Sequence, residues 1–528
     1  MRTSAIERAS GADLAYLAMD RHGVPEQFAV VLVLDEAVDP ADAGRLLEER
    51  IAAVPRLRRR LVRRHGRAGW AEDERFDVHR HLFDVPCRWP GDEAALLRTV
   101  LPLVTEPLPR DRPLWRAAFV GTLPGGGCAL VLVVHHVLAD GLGGLALLER
   151  LVDAPPAQPA PAPARSGMPA DADGPVHPAT LAHRTVPSGP ATPAESMRPA
   201  EPATPAETMK SAGPAASADS GSSAPDGRSD EGAAAGRARA DVLRAALRAR
   251  LVSAGRVKVR WRAAWATASA GGGIAPARAA DSSLLAPTGS RREAVTVRIA
   301  RHELAGWAHP RGATVNDALL VGVAAALRRV LEQRGERLDE IVAAVPVAAG
   351  AATGDQPTDR TDDGGAKTRS TKTGRPGNSV APLLVRIPAS GPATARLRAV
   401  AVAVHARRAL ATGPAPITAL GGLFRAAAVV GAYHGYMAHQ HRAHTVVSHV
   451  RGPQRPVRFA GVPVRDMIPL GVGDTGNMTV VFQVLSYAGT LRMTATADAD
   501  HWPDLAKLSE ALEDELTSYP MHSSAWPA

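Results

Sequence analysis

Apolar residues along this chain fall into two kinds of run. The first kind is short and nearly continuous: Gln27–Asp35, Ala129–Val134, Val295–Ile299, Ile341–Val347 and Thr479–Leu485. Such runs, rich in valine and bounded by turn residues, predict buried strands. Phe76–Leu82 (FDVHRHL) alternates polar and apolar positions and also predicts a strand. The second kind recurs every three or four residues. Pro40 opens one such segment, with Leu46, Leu47 and Ile51 on one face. Thr314 precedes VNDALLVGVAAALRRVLEQRG and is placed to cap it. Further helices are predicted over Ala5–Asp20, from Arg301, over Ala393–Arg408, across the apolar stretch Pro414–His441 and from Pro503.

Between these regions the pattern stops. From Asp153 to about Gly236 proline, alanine, serine, threonine and glycine dominate, and large apolar residues almost vanish. A segment that cannot bury apolar surface is expected to remain a disordered linker. Residues 351–376 form a second polar insertion of the same expected kind. The segment 237–280 differs again. Its first part, Arg237–Trp265, reads as a strongly basic helix with an apolar stripe of Val242, Leu243, Ala246, Leu247 and Leu251. Two readings fit it, a surface helix packed on the protein and a helix lying on an anionic bilayer. The expected organisation is therefore a first domain over 1–152, a linker over 153–236, a basic crossover over 237–280 and a second domain over 281–528.

The densest chemistry follows the run Ala129–Val134. Its sequence continues HHVLADG, and a glycine-rich start to an apolar helix comes next. A strand thus delivers His135 and His136 to a loop, with Asp140 and Gly141 at the start of the helix behind them. Rigid elements on both sides suit a site whose side chains must converge. An imidazole with a pKa near neutrality can take a proton from a hydroxyl. One ring suffices for that; the other can pack or orient. Asp140 is placed to brace the loop with a charge-assisted bond, and Gly141 permits a tight turn or a close substrate approach.

Composition narrows the choices. The chain has 528 residues and a net charge of +9, so a polyanionic ligand, a membrane surface or nucleic acid all suit its basic balance. Aromatic residues form only 4% of it and no nucleic-acid motif is present, which sets nucleic acid aside. Cys87 and Cys128 supply neither a disulfide framework nor a metal-ligand cluster. Met1–Asp20 has no continuous apolar core, so no signal peptide is expected. Gly471–Gly476 spells GxGxxG, but a strand follows where a dinucleotide site needs a helix. Gly377–Ala381 approaches GxSxG without its last glycine, which argues against an acyl-serine enzyme.

HHVLADG resembles the HHxxxDG motif of the CoA-dependent acyltransferase superfamily. More closely, the chain resembles the bacterial wax ester synthase/diacylglycerol acyltransferase family. Other segments that carry the likeness are Arg112–Trp115 (RPLW), the Asn316-Asp317 pair, the strand from Gly377 (GNSVAPLLVRIP), Val446–Pro453 and the stretch AGVPVRDMIPLGVGDTGNMTV. Val446–Pro453 departs from the family pattern, with His449 and Arg451 where asparagine and proline are usual, and Ala348–Gly350 replace a serine and an arginine. The resemblance implies an α/β fold of two chloramphenicol-acetyltransferase-like domains, mixed sheets flanked by helices, and an active site at the domain interface. It implies His136 as general base, with His135, Asp140 and Gly141 shaping the loop. Asn316 and Asp317 have two readings: stabilising a helix N-terminus, or shaping the active site across the interface. No cofactor or metal is implied. The expected partners are acyl-CoA, diacylglycerol or a long-chain alcohol, and an anionic membrane or lipid-droplet surface approached from the cytoplasm. A condensation-type enzyme using a carrier-protein thioester, and a catalytically silent lipid-binding scaffold, are the alternatives.

Overall fold

The computed structural model describes residues 6–20, 24–64, 67–121, 123–139, 141–153, 279–348, 380–410, 416–473 and 476–521. The expected linker beyond 153, the basic segment up to 278, the insertion 351–376 and Asp140 lie outside them.

The chain opens with β1 (Glu7–Arg8) and α1 (Gly11–Met19). The helix expected over residues 5–20 begins only at Gly11. Ser10 and Asp13 close a reciprocal capping box there, and Glu7–Arg8 pair as a strand with Trp70 and Gly69. Then come β2 (Gln27–Leu34), α2 (Pro40–Ala52), β3 (Arg59–Arg64) and β4 (Arg67–Glu72). The strand expected over Phe76–Leu82 is instead a turn of 3-10 helix, Val78–His81. The Asp77 carboxylate accepts the His79 N–H at 2.9 Å and caps it. Strand pairing starts only with β5 (Leu82–Pro86). After α3 (Glu93–Thr105), β6 (Trp115–Gly121) and β7 (Cys128–His135) form a hairpin, and α4 (Gly141–Leu151) follows.

The second half runs β8 (Arg292–Ala300), α5 (Arg301–Ala308), α6 (Val315–Gln333), β9 (Glu340–Ala348), β10 (Val380–Pro388) and α7 (Ala393–Leu410). The apolar stretch then forms two helices, α8 (Pro416–Val429) and α9 (Ala432–Ala438), separated at Gly431 with φ 80°. Strands β11 (Thr445–Arg451), β12 (Arg458–Phe459), β13 (Val462–Gly471), β14 (Val480–Tyr487) and β15 (Thr490–Asp498) lead to α10 (Leu505–Met521).

Two six-stranded mixed sheets result, ordered β12-β13-β2-β7-β6-β5 and β10-β9-β11-β14-β15-β8. The boundary expected at 281 divides the chain but not the sheets, because β13 crosses over and pairs antiparallel with β2 of the first sheet. Tyr487 fastens this crossover. Its hydroxyl donates to the Val464 carbonyl at 2.7 Å and accepts the Val457 N–H at 2.9 Å. Arg492 on β15 ion-pairs with Glu93 at the start of α3, a second tie between the halves. Each sheet has its own core. Val31, Val131, Val133, Trp115 and Met467 belong to the first, and Leu319, Leu327, Val447, Phe482 and Trp502 to the second. All eight residues of β7 are buried, as a central strand covered on both faces requires. Burying each such valine or leucine contributes roughly 1.5–3 kcal/mol, so the strand that ends in His135 is firmly held.

Candidate active site

His135 is the last residue of β7 and pairs across to Gln27, the first residue of β2. Gln27 is itself immobilised: its amide donates to the carbonyls of Val104 and Glu106 at 2.8 and 3.0 Å and accepts the Leu108 N–H at 2.9 Å. The chain turns at His136, and the Leu138 N–H closes back on the His135 carbonyl at 2.9 Å.

Both ring nitrogens of His135 are engaged inside the protein. Nδ1 accepts the Val137 N–H at 3.0 Å, and Nε2 faces an oxygen of Asp20 at 2.7 Å. An acceptor Nδ1 fixes the proton on Nε2, so Nε2 donates to the carboxylate. The ring is 2% exposed. Burial by itself would raise the Asp20 carboxyl. The bond from His135, the Glu26 N–H at 2.8 Å and Arg110 at 3.0 Å outweigh burial and hold it below the usual carboxylate value. His135 is therefore a structural imidazole, unable to take a substrate proton without breaking this set.

His136 differs. Its backbone N–H donates to the Glu26 carbonyl at 2.8 Å. Its ring is partly exposed, stacks on Tyr16 of α1 with centroids 5.7 Å apart, and lies 4.8 Å from the tilted ring of Phe28. Phe28 in turn meets α4 at Gly144, where a Cβ would come within 2.6 Å of the phenyl ring. Only glycine lets that helix approach so closely. The glycine-rich start of α4 thus also sets a wall of the site.

Arg56 closes the loop from below. Its guanidinium lies 3.9 Å over the Trp70 ring and 3.5 Å from both the Val137 carbonyl and Asp13, which also accepts from the Trp70 indole at 3.0 Å. Arg56 is thus an internal arginine, its side chain 14% exposed. Gly141 is the first residue of α4. Asn316 and Asp317 lie in the first turn of α6, within the second core. Asp317 completes a capping box, its carboxylate accepting from the Thr314 N–H and hydroxyl, each at 2.8 Å. The Asn316 amide nitrogen is buried without a hydrogen-bond partner among the described residues. His81 is a packing residue, stacked on Trp115 at 4.3 Å and bonded to its carbonyl. A cleft of about 410 Å³ lined by Glu93, Asp466, Arg298 and Arg492 opens near the start of β7, at the opposite end of that strand from His135.

Asp20, Tyr16, Phe28 and Gly144 were not visible as site residues in the sequence. Their roles depend on contacts between elements, and no spacing rule marks them. Among the described residues no group of three or more histidine, cysteine or carboxylate side chains is arranged to hold a metal ion.

Comparison with known proteins gives the family and the fold. The model of the wax ester synthase/diacylglycerol acyltransferase catalytic domain matches residues 10–248, and that of the WS/DGAT C-terminal domain matches residues 376–519. This chain belongs to the wax ester synthase/diacylglycerol acyltransferase family. One Mycobacterium tuberculosis relative, bearing the provisional name diacylglycerol O-acyltransferase, is 26% identical; the match covers 97% of this chain and 90% of that protein. A second protein of that name from the same species is 34% identical over 30% of this chain and 37% of its own length. In three dimensions the wax ester synthase/diacylglycerol acyltransferase of Marinobacter aquaeolei VT8 matches with a TM-score of 0.59 at 17% identity, covering 98% of this chain and all of that one. The starter condensation domain of rhizomide synthetase follows at 0.56 and 14% identity, covering 98% of this chain and 95% of its own. At such identities the structural matches establish the fold alone: two acyltransferase-type halves, shared by this family and by condensation domains.

Proposed function

We propose that this family member transfers a fatty acyl group from acyl-CoA to the hydroxyl of diacylglycerol or a long-chain alcohol, with His136 as general base. The observation that carries the assignment is the engagement of both His135 nitrogens, by Val137 and Asp20. The ring of His136 is partly exposed, so a substrate hydroxyl can reach it. His136 takes the proton as the hydroxyl oxygen attacks the thioester carbonyl carbon. The carbon–sulfur bond then breaks, and the departing CoA thiolate takes that proton back from the imidazolium. Ester and CoA are the products, and no acyl-enzyme forms. General-base action contributes about 10²–10⁴-fold and positioning the remainder.

Asp140 keeps the loop-bracing role that the family resemblance gives it. Asp317 sets the start of α6, the role its capping box supports, and Asn316 keeps the site-shaping role that the family resemblance gives it. Peripheral contact with an anionic lipid surface belongs to the same reading. It is supported by Val429, Val430 and Tyr436, exposed along the α8–α9 hairpin beside exposed Arg425. No helix among the described residues is long and apolar enough to cross a membrane.

The test is His136→Ala, assayed with labelled acyl-CoA and a panel of alcohols. Turnover should fall by at least about 10²-fold while acyl-CoA binding and thermal stability stay close to wild type, because the base acts in the transition state. Wild-type turnover in a folded variant would refute the assignment. Preference for an acyl-carrier-protein thioester over acyl-CoA would move the enzyme to the condensation type.

A further inference from the structure

We propose that Asp20 is a positioning residue for the acyl transfer, acting on the catalytic loop from outside the HHxxxDG motif; this rests on the reading of His136 as base. Asp20 follows the last turn of α1 and its side chain is 7% exposed. One carboxylate oxygen accepts from His135 Nε2 at 2.7 Å and from Arg110 at 3.0 Å. The other accepts the Glu26 N–H at 2.8 Å.

From there two routes lead to the loop. Along the first, Asp20 holds the His135 proton on Nε2, which leaves Nδ1 as the acceptor for the Val137 N–H at 3.0 Å. Along the second, Asp20 fixes Glu26, whose carbonyl holds the His136 N–H at 2.8 Å. The residues on both sides of the catalytic ring are thus tied to one carboxylate, and His136 itself is held through the second route.

The carboxylate is anchored in its turn from the second half of the chain. His434 on α9 donates from Nε2 to the carbonyl of Met19, the residue before Asp20, at 2.7 Å. The position of the base is therefore referred to both halves of the enzyme.

A carboxylate is the one side chain that serves every partner at once, because all three partners donate. Asparagine offers one acceptor and one donor. If its oxygen faces His135, its NH2 opposes the Glu26 N–H. If its oxygen faces Glu26, its NH2 opposes the His135 proton. In either orientation one route to the loop is lost. Displacing a base by about 1 Å can reduce turnover by roughly 10²-fold.

The experiment uses the full chain with Asp20→Asn, His135→Ala and the double variant. For Asp20→Asn, kcat should fall roughly 10–100-fold with the KM for acyl-CoA changed less than about threefold. The double variant should fall short of the product of the two single losses, since without His135 only the route through Glu26 is left for Asp20 to act on. Multiplying effects, or a raised KM at unchanged kcat, would overturn the proposal. Asp20→Glu keeps both acceptor oxygens and should recover part of the lost kcat; equal loss in both variants counts against it.

A second readout needs no activity. In 15N-histidine-labelled wild type, NMR should show the His135 ring as the Nε2–H tautomer at neutral pH, and that signal should shift or vanish in Asp20→Asn. An Nδ1–H tautomer in wild type would end the proposal even if no Asp20 variant folds. If the wild type acylates no alcohol, the functional reading fails, while the tautomer still decides whether Asp20 holds His135.

Discussion

His449 stands on β11 where the family pattern leads one to expect asparagine, and it should make the stability of this protein pH-dependent. Val447, two residues earlier on the strand, is fully buried in the second core, so His449 faces the same helix layer. Its Nε2 is enclosed and has no hydrogen-bond partner among the described residues. Burial, with repulsion from Arg451 and Arg301 added, pushes its pKa from the ordinary 6.5 to about 4. Between these two values the unfolded chain binds the proton and the folded chain does not. Stability from this residue is therefore complete above about 6.5 and is lost progressively as pH falls towards 4. A separation of this size corresponds to roughly 3 kcal/mol, and partial solvent contact of the ring brings that nearer to about 2.

The perturbation is His449→Asn, which cannot titrate. Urea unfolding followed by tryptophan fluorescence at pH 7, 6, 5 and 4.5 gives the comparison. His81 and His444, which burial also pushes down, are common to both proteins, so their contribution cancels in the difference. At pH 7 the variant should lie within about 1 kcal/mol of wild type, the ordinary range for one substitution. By pH 4.5 the wild type should have lost roughly 2 kcal/mol more than the variant. Parallel curves across this range would show that His449 titrates alike in both states and would refute the reasoning.

Other consequences can be checked separately. Gly144→Ala places a methyl group 2.6 Å from the Phe28 ring, which packs on His136. Overpacking of about 1–3 kcal/mol and a clear fall in kcat should follow, and an unchanged kcat would show that Phe28 moves away without disturbing His136. Asp317→Ala removes the α6 capping box, so stability should drop by about 1 kcal/mol while the folded protein keeps most of its kcat; a collapse of kcat at full stability would place the Asn316-Asp317 pair in the chemistry. Sedimentation with anionic vesicles should weaken as salt rises, since exposed charges are screened beyond about 10 Å at 0.1 M, and equal binding to neutral vesicles would rule out the electrostatic part of the surface contact.

The sequence determined what local pattern can encode. A six-residue apolar run leading two histidines into a loop, with a glycine-rich helix behind, is written in consecutive residues, and β7 and α4 follow it. Thr314 and Asp317 state the start of α6 within one turn, because a capping box needs only residues three apart. Family membership was readable for the same reason, as its motifs are short and contiguous. Local pattern misled where a cap competed with alternation: at Val78–His81 a hydrogen bond from the His79 N–H to the Asp77 carboxylate caps a turn of 3-10 helix in an alternating segment.

The tertiary structure decided the rest. Which histidine is structural follows from Asp20, 115 residues before His135 in the chain, and no periodicity links the two. The entry of β13 into the first sheet, 28 to 34 pairing with 464 to 471, depends on which apolar edge each strand finds after collapse. The need for glycine at position 144 comes from Phe28, more than a hundred residues away in the chain. Periodicity reports which face of an element is buried, whereas the partner on that face is chosen by packing between distant segments, and the geometry around His136 is made of such partners.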